Sequence, residues 1–506
     1  LNYFIYYKYQ ANNDNVGFLC YNKIMNIPEF VKEILAKLEK AGFEAYIVGG
    51  CVRDLLMKKE PSDWDVTTNA RPEHILKIFV DAKYKNTFGT VLVKVKNKKG
   101  ETEDVVEVTT YRSEQGYSDR RHPDQVIFED ELEKDLERRD FTINAMALRL
   151  SSGQVQDIVD LFGGQKDLKN KIVRAVGEPV DRFKEDALRM TRAVRFACQL
   201  DFAIEPKTER AIVKMAGNIK FVANERIQIE LKKILESKNP YDGIMLLHKL
   251  KLLQYILPEL EAGYDVDQNR HHIYTVFKHS VLSLKFCPST DWRVLLAALL
   301  HDIAKPKTKK LIKGDYTFYN HELVGARMVK KIMERLKFSN EDTEKVVNLV
   351  RNHMFYYNVG EVTDASVRRL ISKVGKENLA DLIDVRIADR LGSGVPKAVP
   401  YKLRHLQYVM KKVQNDPVSV KMLKINGSDL MDLLKIEPGP KIGAILDVLL
   451  SEVIEDPKLN NKEFLEERSC ELNKLNLAEL RTKAKEVIEE KRARDDKKMK
   501  REFKVQ

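Results

Sequence analysis

The spacing of apolar residues changes character once along this chain. "MNIPEFVKEILAKLEKAGF", opening at Met25, has the three-to-four-residue apolar period of an amphipathic helix. Beyond it come short runs rich in β-branched residues and bounded by turn signals: "AYIVGG", "DWDVTT", "GTVLVKV" and "DVVEVTTYR". These read as strands, and strands mixed with helices predict an α+β head over residues 25–160. From Leu161 the strand signal fades. "EDALRMTRAVRFACQL", "NERIQIELKKILES" and "YDGIMLLHKLKLLQYIL" carry the helical period, and that character continues toward the end. Residues 1–24 have no such period, so we expect them to be a non-structural extension with Met25 as the true start. The closing "AKEVIEEKRARDDKKMKREFKVQ" reads as a charge-dense helix or solvated tail.

Composition narrows this picture only in part. A chain of 506 residues accommodates two to four domains. The net charge of +12 fits either a polyanionic partner or a Lys-rich sequence bias. The five cysteines are scattered with no CxxC pair, which argues for a reducing cytosol and against both a disulfide framework and a structural zinc site. "VLLAALL" is too short to cross a bilayer and the first residues lack a signal peptide's regions, so a cytoplasmic protein without a membrane partner is expected. No protein partner can be inferred.

Candidate chemistry begins at "YIVGGCVRDLLMKKEPSDWDVTT". Asp63 and Asp65 alternate within a strand-like run, so both carboxylates are expected on one face with Trp64 on the other. Two acids so close repel unless a cation lies between them, and hard ions such as Mg²⁺ take oxygen ligands while leaving room for phosphate. Such a pair is the protein share of a two-metal phosphoryl-transfer site. Gly49 and Gly50 permit close approach of backbone amides to phosphate, Arg53 supplies a fork-shaped donor, and Glu107 in "VVEVTTYR" offers a third carboxylate from a neighbouring strand.

GGxVRD followed by DxD resembles the signature of the nucleotidyltransferase superfamily that includes DNA polymerase β and the tRNA nucleotidyltransferases. "LERRDFTINAMAL" resembles the ribose- and phosphate-contacting motif of the class II tRNA nucleotidyltransferases, the CCA-adding enzymes. The resemblance implies that Arg139 reaches the nucleotide and Asp140 hydrogen-bonds its ribose.

In "KEDALRMTRAVRF", Asp186, Arg189, Arg192 and Arg195 recur every three residues, which predicts one flank of a helix. Cytosine and adenine both present an amino donor beside a ring-nitrogen acceptor. A carboxylate with a guanidinium matches that pattern, whereas uracil and guanine show the reverse polarity. Asp186 and Arg189 could therefore select C and A. In the family resembled, Arg192 and Arg195 contact the triphosphate, and a flexible loop corresponding to Thr110–Phe128 accompanies the final A addition.

"NERIQIELKKIL" and "LKINGSDLMDLLKIEPGPKIGAILDVLLSEVIEDPKLN" extend the resemblance. In the latter, the Pro/Gly turn before a helix suits either a tRNA phosphate or plain helix packing. Lastly, His279, the adjacent His301-Asp302 and Asp389 resemble the H…HD…D order of HD-domain metal phosphohydrolases, with His321 and His353 as candidates for a second ion. Imidazole and carboxylate ligands suit a divalent transition metal or Mg²⁺.

The resemblance implies a polymerase-β-like head, a helical neck and body at 161–265, an HD domain at 266–400 and a helical, tRNA-binding tail at 401–506. It further implies addition of C, C and A to a tRNA acceptor arm from CTP and ATP, with two Mg²⁺ ions at the head and release of pyrophosphate. The alternatives are an A-adding enzyme or poly(A) polymerase, an HD phosphohydrolase whose head only binds nucleotide, and a non-catalytic tRNA-binding protein.

Overall fold

The computed structural model describes residues 26–85, 88–96, 102–116, 125–151, 153–268, 273–312, 314–355, 357, 363–394, 401–413 and 419–482. The expected extension at 1–24, the centre of the Thr110–Phe128 loop and the charge-dense end lie outside the described residues. The chain divides into two compact units, Leu1–Tyr264 with Ile332–Phe338, and Asp265–Lys331 with Ser339–Gln506.

The first unit opens with the helix Glu29–Lys40, which buries Val31, Ile34, Leu35 and Leu38. The strands that follow are β1 (Ala45–Val48), β2 (Asp65–Thr68), β3 (Lys83–Tyr84), β4 (Thr90–Lys96), β5 (Thr102–Thr110), β6 (Arg112–Gln115), β7 (Gln125–Phe128), β8 (Ala147–Ser151) and β9 (Gln154–Val159). Seven of them form a mixed sheet in the order β3-β4-β5-β2-β1-β8-β9. Alternation along β1 divides its side chains between two cores. Ile47 joins the helix Glu29–Lys40 in one, while Tyr46 and Val48 meet Tyr111, Leu132 and Leu136 in the other.

Two expectations need correction here. β2 begins at Asp65, so Asp63 stands in the bend before the strand rather than two places along it; Trp64 between them does turn into the core, at 7% exposure. The run expected as a polar loop from Thr110 to Phe128 is paired at both ends. β6 and β7 form an antiparallel ladder from Arg112↔Phe128 to Gln115↔Gln125.

Beyond β9 this unit is mostly helical, apart from a short parallel pair of strands, Ile172–Val173 and Ala203–Ile204, and includes the helices Pro179–Glu185, Leu188–Leu200 and Asn224–Leu235. In the second unit, the helices Val276–Phe286 and Leu379–Gly392 carry His279 and Asp389, and His301-Asp302 follows directly on the helix Trp292–Leu300. Its C-terminal part packs a separate core of Ile425, Leu430, Ile445, Leu449 and Leu465. The Pro/Gly turn expected to feed a helix leads into Pro440–Glu455, where Gly439 precedes Pro440 at the first helical position. Among the described residues, no helix is long and apolar enough to cross a membrane.

Candidate active site and metal centre

β2 and β5 run parallel, and their register sets Asp65 directly beside Glu107. Burial pushes the Asp65 carboxyl up to about 6; Arg139 opposes the shift, while Glu107 and Asp63 add to it. A carboxylate held this way has a deficit of positive charge. Glu107 is paired with Lys85, and both side chains are partly exposed. Asp63 is exposed and accepts from Ser62 Oγ at 2.8 Å.

Gly49, at φ +88°, makes the turn into the helix Gly50–Leu56. A Cβ there would lie 3.1 Å from Arg139 Nη1 and 3.5 Å from Asp65 Oδ2, so the bare backbone leaves room for both groups beside the turn. Arg53 is turned inward. It forks onto Asp54 at 2.8–2.9 Å and donates through Nη1 to Asn144 Oδ1 at 2.8 Å.

Arg138 and Arg139 are both anchored by Asp135, a fully buried carboxylate at 2.6 and 3.0 Å from their nearest nitrogens. Burial pushes Asp135 up, but the two guanidiniums hold it down at about 2. Thr67 of β2 donates to the same carboxylate at 3.3 Å, tying the strand of Asp65 to Arg139. Asp135 was missed in the sequence reading; its signal is the spacing of three and four residues to the two arginines.

Asp140 is already engaged by the protein. Its Oδ2 accepts from Arg192 Nε and Nη2 at 2.7 and 2.6 Å, and its Oδ1 accepts from the Phe141 amide and Asn144. Burial raises its pKa, yet Arg192 and Arg189 bring it down to about 2. The helix Leu188–Leu200 carries Arg189, Arg192 and Arg195 as expected, but Asp186 precedes it. There Asp186 accepts from the Leu188 amide at 3.1 Å instead of lining the helix flank.

Asp186 and Arg189 do not pair with each other. Asp186 is gripped by Arg226 at 3.1 and 2.7 Å, while Arg189 bonds Glu185 at 2.6 Å and the Arg138 carbonyl at 2.9 Å. Arg195 pairs with buried Glu230 at 2.7 Å. Three guanidiniums surround one ring: Arg53, Arg192 and Arg195 lie 5.2, 5.4 and 4.2 Å from the centroid of Phe196. The head motif and the helical neck thus meet in one field of cations, each carrying an acidic partner.

In the second unit the histidines and aspartates named from sequence converge. His279 Nε2 lies 3.0 Å from His301 Nε2, 3.2 Å from Asp302 Oδ2 and 3.3 Å from Asp389 Oδ1. On the other side, Asp302 Oδ1 is 3.3 Å from His321 Nε2 and 3.9 Å from His353 Nε2. His301, His321 and His353 each donate Nδ1–H to the carbonyl three residues earlier (Ala298, Phe318 and Val350) at 2.7–2.8 Å. This fixes the tautomer that turns Nε2 inward, and the buried Nε2 atoms of His321 and His353 make no hydrogen bond.

The two carboxylates draw positive charge from every side. Lys305 sits 2.6 Å from Asp302, Arg386 sits 2.6 Å from Asp389, and His301 is raised to about 10 by Asp302 and Asp389 against the opposing effect of burial. Burial and His301 push His353 down to about 3, leaving it neutral. These donors fit a divalent cation. Among the described residues, His279–His301–Asp302 and Asp302–His321–His353 are groups whose ligand atoms all lie within 4.8 Å; Asp63, Asp65 and Glu107 do not form such a trio.

Comparison with known proteins agrees with this geometry. The poly A polymerase head domain matches residues 45–174, the probable RNA and SrmB-binding site of polymerase A matches 201–263, and the HD domain matches 276–393. The chain is 33% identical over 463 residues to the CCA-adding enzyme of Enterococcus faecalis, covering 88% of this chain and 96% of that one. It is 36% identical over 334 residues to the A-adding tRNA nucleotidyltransferase of Deinococcus radiodurans, covering 63% and 74%. The crystal structure of the Bacillus stearothermophilus CCA-adding enzyme in complex with CTP aligns at a TM-score of 0.65 and 26% identity, over 89% of this chain and 98% of the other. A likeness that runs through nearly the whole of such a relative places the chain in the CCA-adding enzyme family of tRNA nucleotidyltransferases, whose members are metal-dependent transferases.

Proposed function

We propose that the chain adds C, C and A to the 3′ end of tRNA from CTP and ATP. The observation that carries this reading is the helix Leu188–Leu200. Asp186 and Arg189 stand at its start, and Arg192 and Arg195 continue toward the head. A nucleotide lying along it would offer its base to the first pair and its phosphates to the second. The Enterococcus relative, a CCA-adding enzyme, and the Bacillus structure, which holds CTP, support the same reading.

In this reading the tRNA 3′-hydroxyl oxygen bonds to the α-phosphorus, the α–β bridging bond breaks, and pyrophosphate leaves. Asp63 and Asp65 would hold the divalent metal, Mg²⁺ in our reading. That metal would lower the charge on the attacking and leaving oxygens. Arg139, fixed by Asp135 beside Asp65, would meet the sugar and phosphates of the nucleotide. Arg53 and Asp140 would act chiefly by holding Asn144, Arg192 and the Phe196 ring in place, since both are engaged by protein partners. Gly49 and Gly50 would admit phosphate close to the backbone. The tail would hold the tRNA backbone, using the excess of basic residues.

The test is extension of a tRNA lacking its 3′ end, read on a denaturing gel. Two additions with CTP alone, and one more when ATP joins it, are expected. Extension by ATP only, onto a CC end, identifies an A-adding enzyme, and long runs of A identify a poly(A) polymerase.

The inward Nε2 atoms favour a second reading, that the HD cluster binds a divalent ion through His279, His301, Asp302 and Asp389, with His321 and His353 beside them. Its imidazole nitrogens suit a transition metal better than Mg²⁺. Elemental analysis of the purified chain should find such an ion. His301→Ala should remove it without impairing tRNA extension, and undiminished metal in that variant would overturn the assignment.

A further inference from the structure

The helix Asn224–Leu235 contributes two side chains one turn apart, each of which grips a residue of the nucleotide helix or its start. Arg226 holds Asp186 and Glu230 holds Arg195. Arg226 and Asp186 are largely covered, with side chains 25% and 16% exposed, so the pair is shielded from water's competition. Two parallel bonds from a rigid fork fix the plane of a carboxylate, which a single bond would leave free to rotate.

The bonding also separates the two oxygens. Asp186 Oδ1 accepts from Arg226 Nη1 at 3.1 Å and from the Leu188 amide at 3.1 Å, which uses both of its lone pairs. Oδ2 accepts from Arg226 Nη2 at 2.7 Å alone and keeps one lone pair.

We propose that Arg226 is a positioning residue for nucleotide selection, fixing Asp186 so that the remaining lone pair of Oδ2 is the acceptor for the amino group of cytosine or adenine. This rests on the reading of Asp186 as the base-reading carboxylate. Without the fork the carboxylate can rotate until an oxygen meets the ring N–H of uracil or guanine, so the amino group of cytosine or adenine is no longer the one donor in reach. UTP and GTP then compete better, while the metal-binding head is unaltered.

The experiment measures kcat/KM for incorporation of each of the four nucleotides by the full chain, in wild type and in Arg226→Ala, Arg226→Lys and Asp186→Ala. Arg226→Ala should lower discrimination for C and A over U and G by about 10- to 100-fold, the range for losing a charge-assisted hydrogen bond. Arg226→Lys, keeping the charge but not the fork, should recover part of it. Equal slowing with all four nucleotides, in an Arg226→Ala protein whose circular dichroism matches wild type, would overturn the proposal if Asp186→Ala still loses discrimination. Should Arg226→Ala not fold, the same ratio in Arg226→Lys decides: wild-type discrimination there counts against the fork. If Asp186→Ala itself keeps full discrimination, the underlying template reading fails instead.

Discussion

Asp65→Asn is expected to abolish nucleotide addition and, at the same time, to stabilise the metal-free protein at neutral pH. The loss of activity follows if Asp65 is the charged metal ligand that we propose. Forfeiting several kcal/mol of charge stabilisation at the reacting phosphate slows the reaction roughly a thousandfold or more. The gain in stability follows from the raised pKa of about 6. Burial makes the folded protein hold this proton more tightly than the unfolded chain does. Stability therefore falls as pH rises from about 4 through 6, and above that the charged carboxylate costs about 3 kcal/mol. Asparagine avoids that cost. Urea unfolding with a chelator present should show the variant more stable at pH 7 and the two proteins converging near pH 4. Equal stability at pH 7 would mean that burial does not penalise the charged Asp65 carboxylate.

Asp135→Ala should produce the largest loss of stability. It removes an acid that the two neighbouring guanidiniums share and leaves these largely covered cations without it, at a cost of about 3–5 kcal/mol. That is a large share of the stability of an ordinary domain. The sign with pH is opposite to that of Asp65. A pKa held at about 2 means that Asp135 contributes its full stabilisation above about pH 4 and loses it only as pH falls through 2. The deficit measured by denaturant should thus stay constant from pH 8 to 5. Asp135→Asn, which preserves the shape, should fold better yet still add nucleotides poorly, because Arg139 is no longer fixed beside Asp65. Wild-type rates in Asp135→Asn would show that Arg139 needs no such anchor.

The contrast between Asp65 and Asp135 shows what was legible in the sequence. The residues to which we assign chemistry sit in compact local patterns: Asp63 with Asp65, His301 with Asp302, and the arginines of one helix. Their types and spacing were readable. The partners that orient them were not, because Arg226 is 40 residues from Asp186 and Glu230 comes from a different helix than Arg195. Only the packing of the neck brings them together. The α+β head on a helical body was readable from the change in apolar period. The start of β2 was not, since Ser62 and Asp63 form a bend that the alternating pattern conceals. The β6–β7 ladder was missed for a related reason: β6, Arg112–Gln115, is polar throughout, and β7 is only four residues long, so neither shows an alternating pattern and the pairing appears only in the backbone.

One carboxylate in the second unit has a consequence for how ions would load. Asp302 turns Oδ2 to His279 and His301 and Oδ1 toward His321 and His353. Two cations held there would share the charge of Asp302, with Asp389 beside the first alone, so their occupancies could not be independent. A metal titration would depart from a simple hyperbola, with the second ion binding more weakly than the first. Replacing Asp302 would erase both steps at once, whereas replacing His353 would leave the first intact.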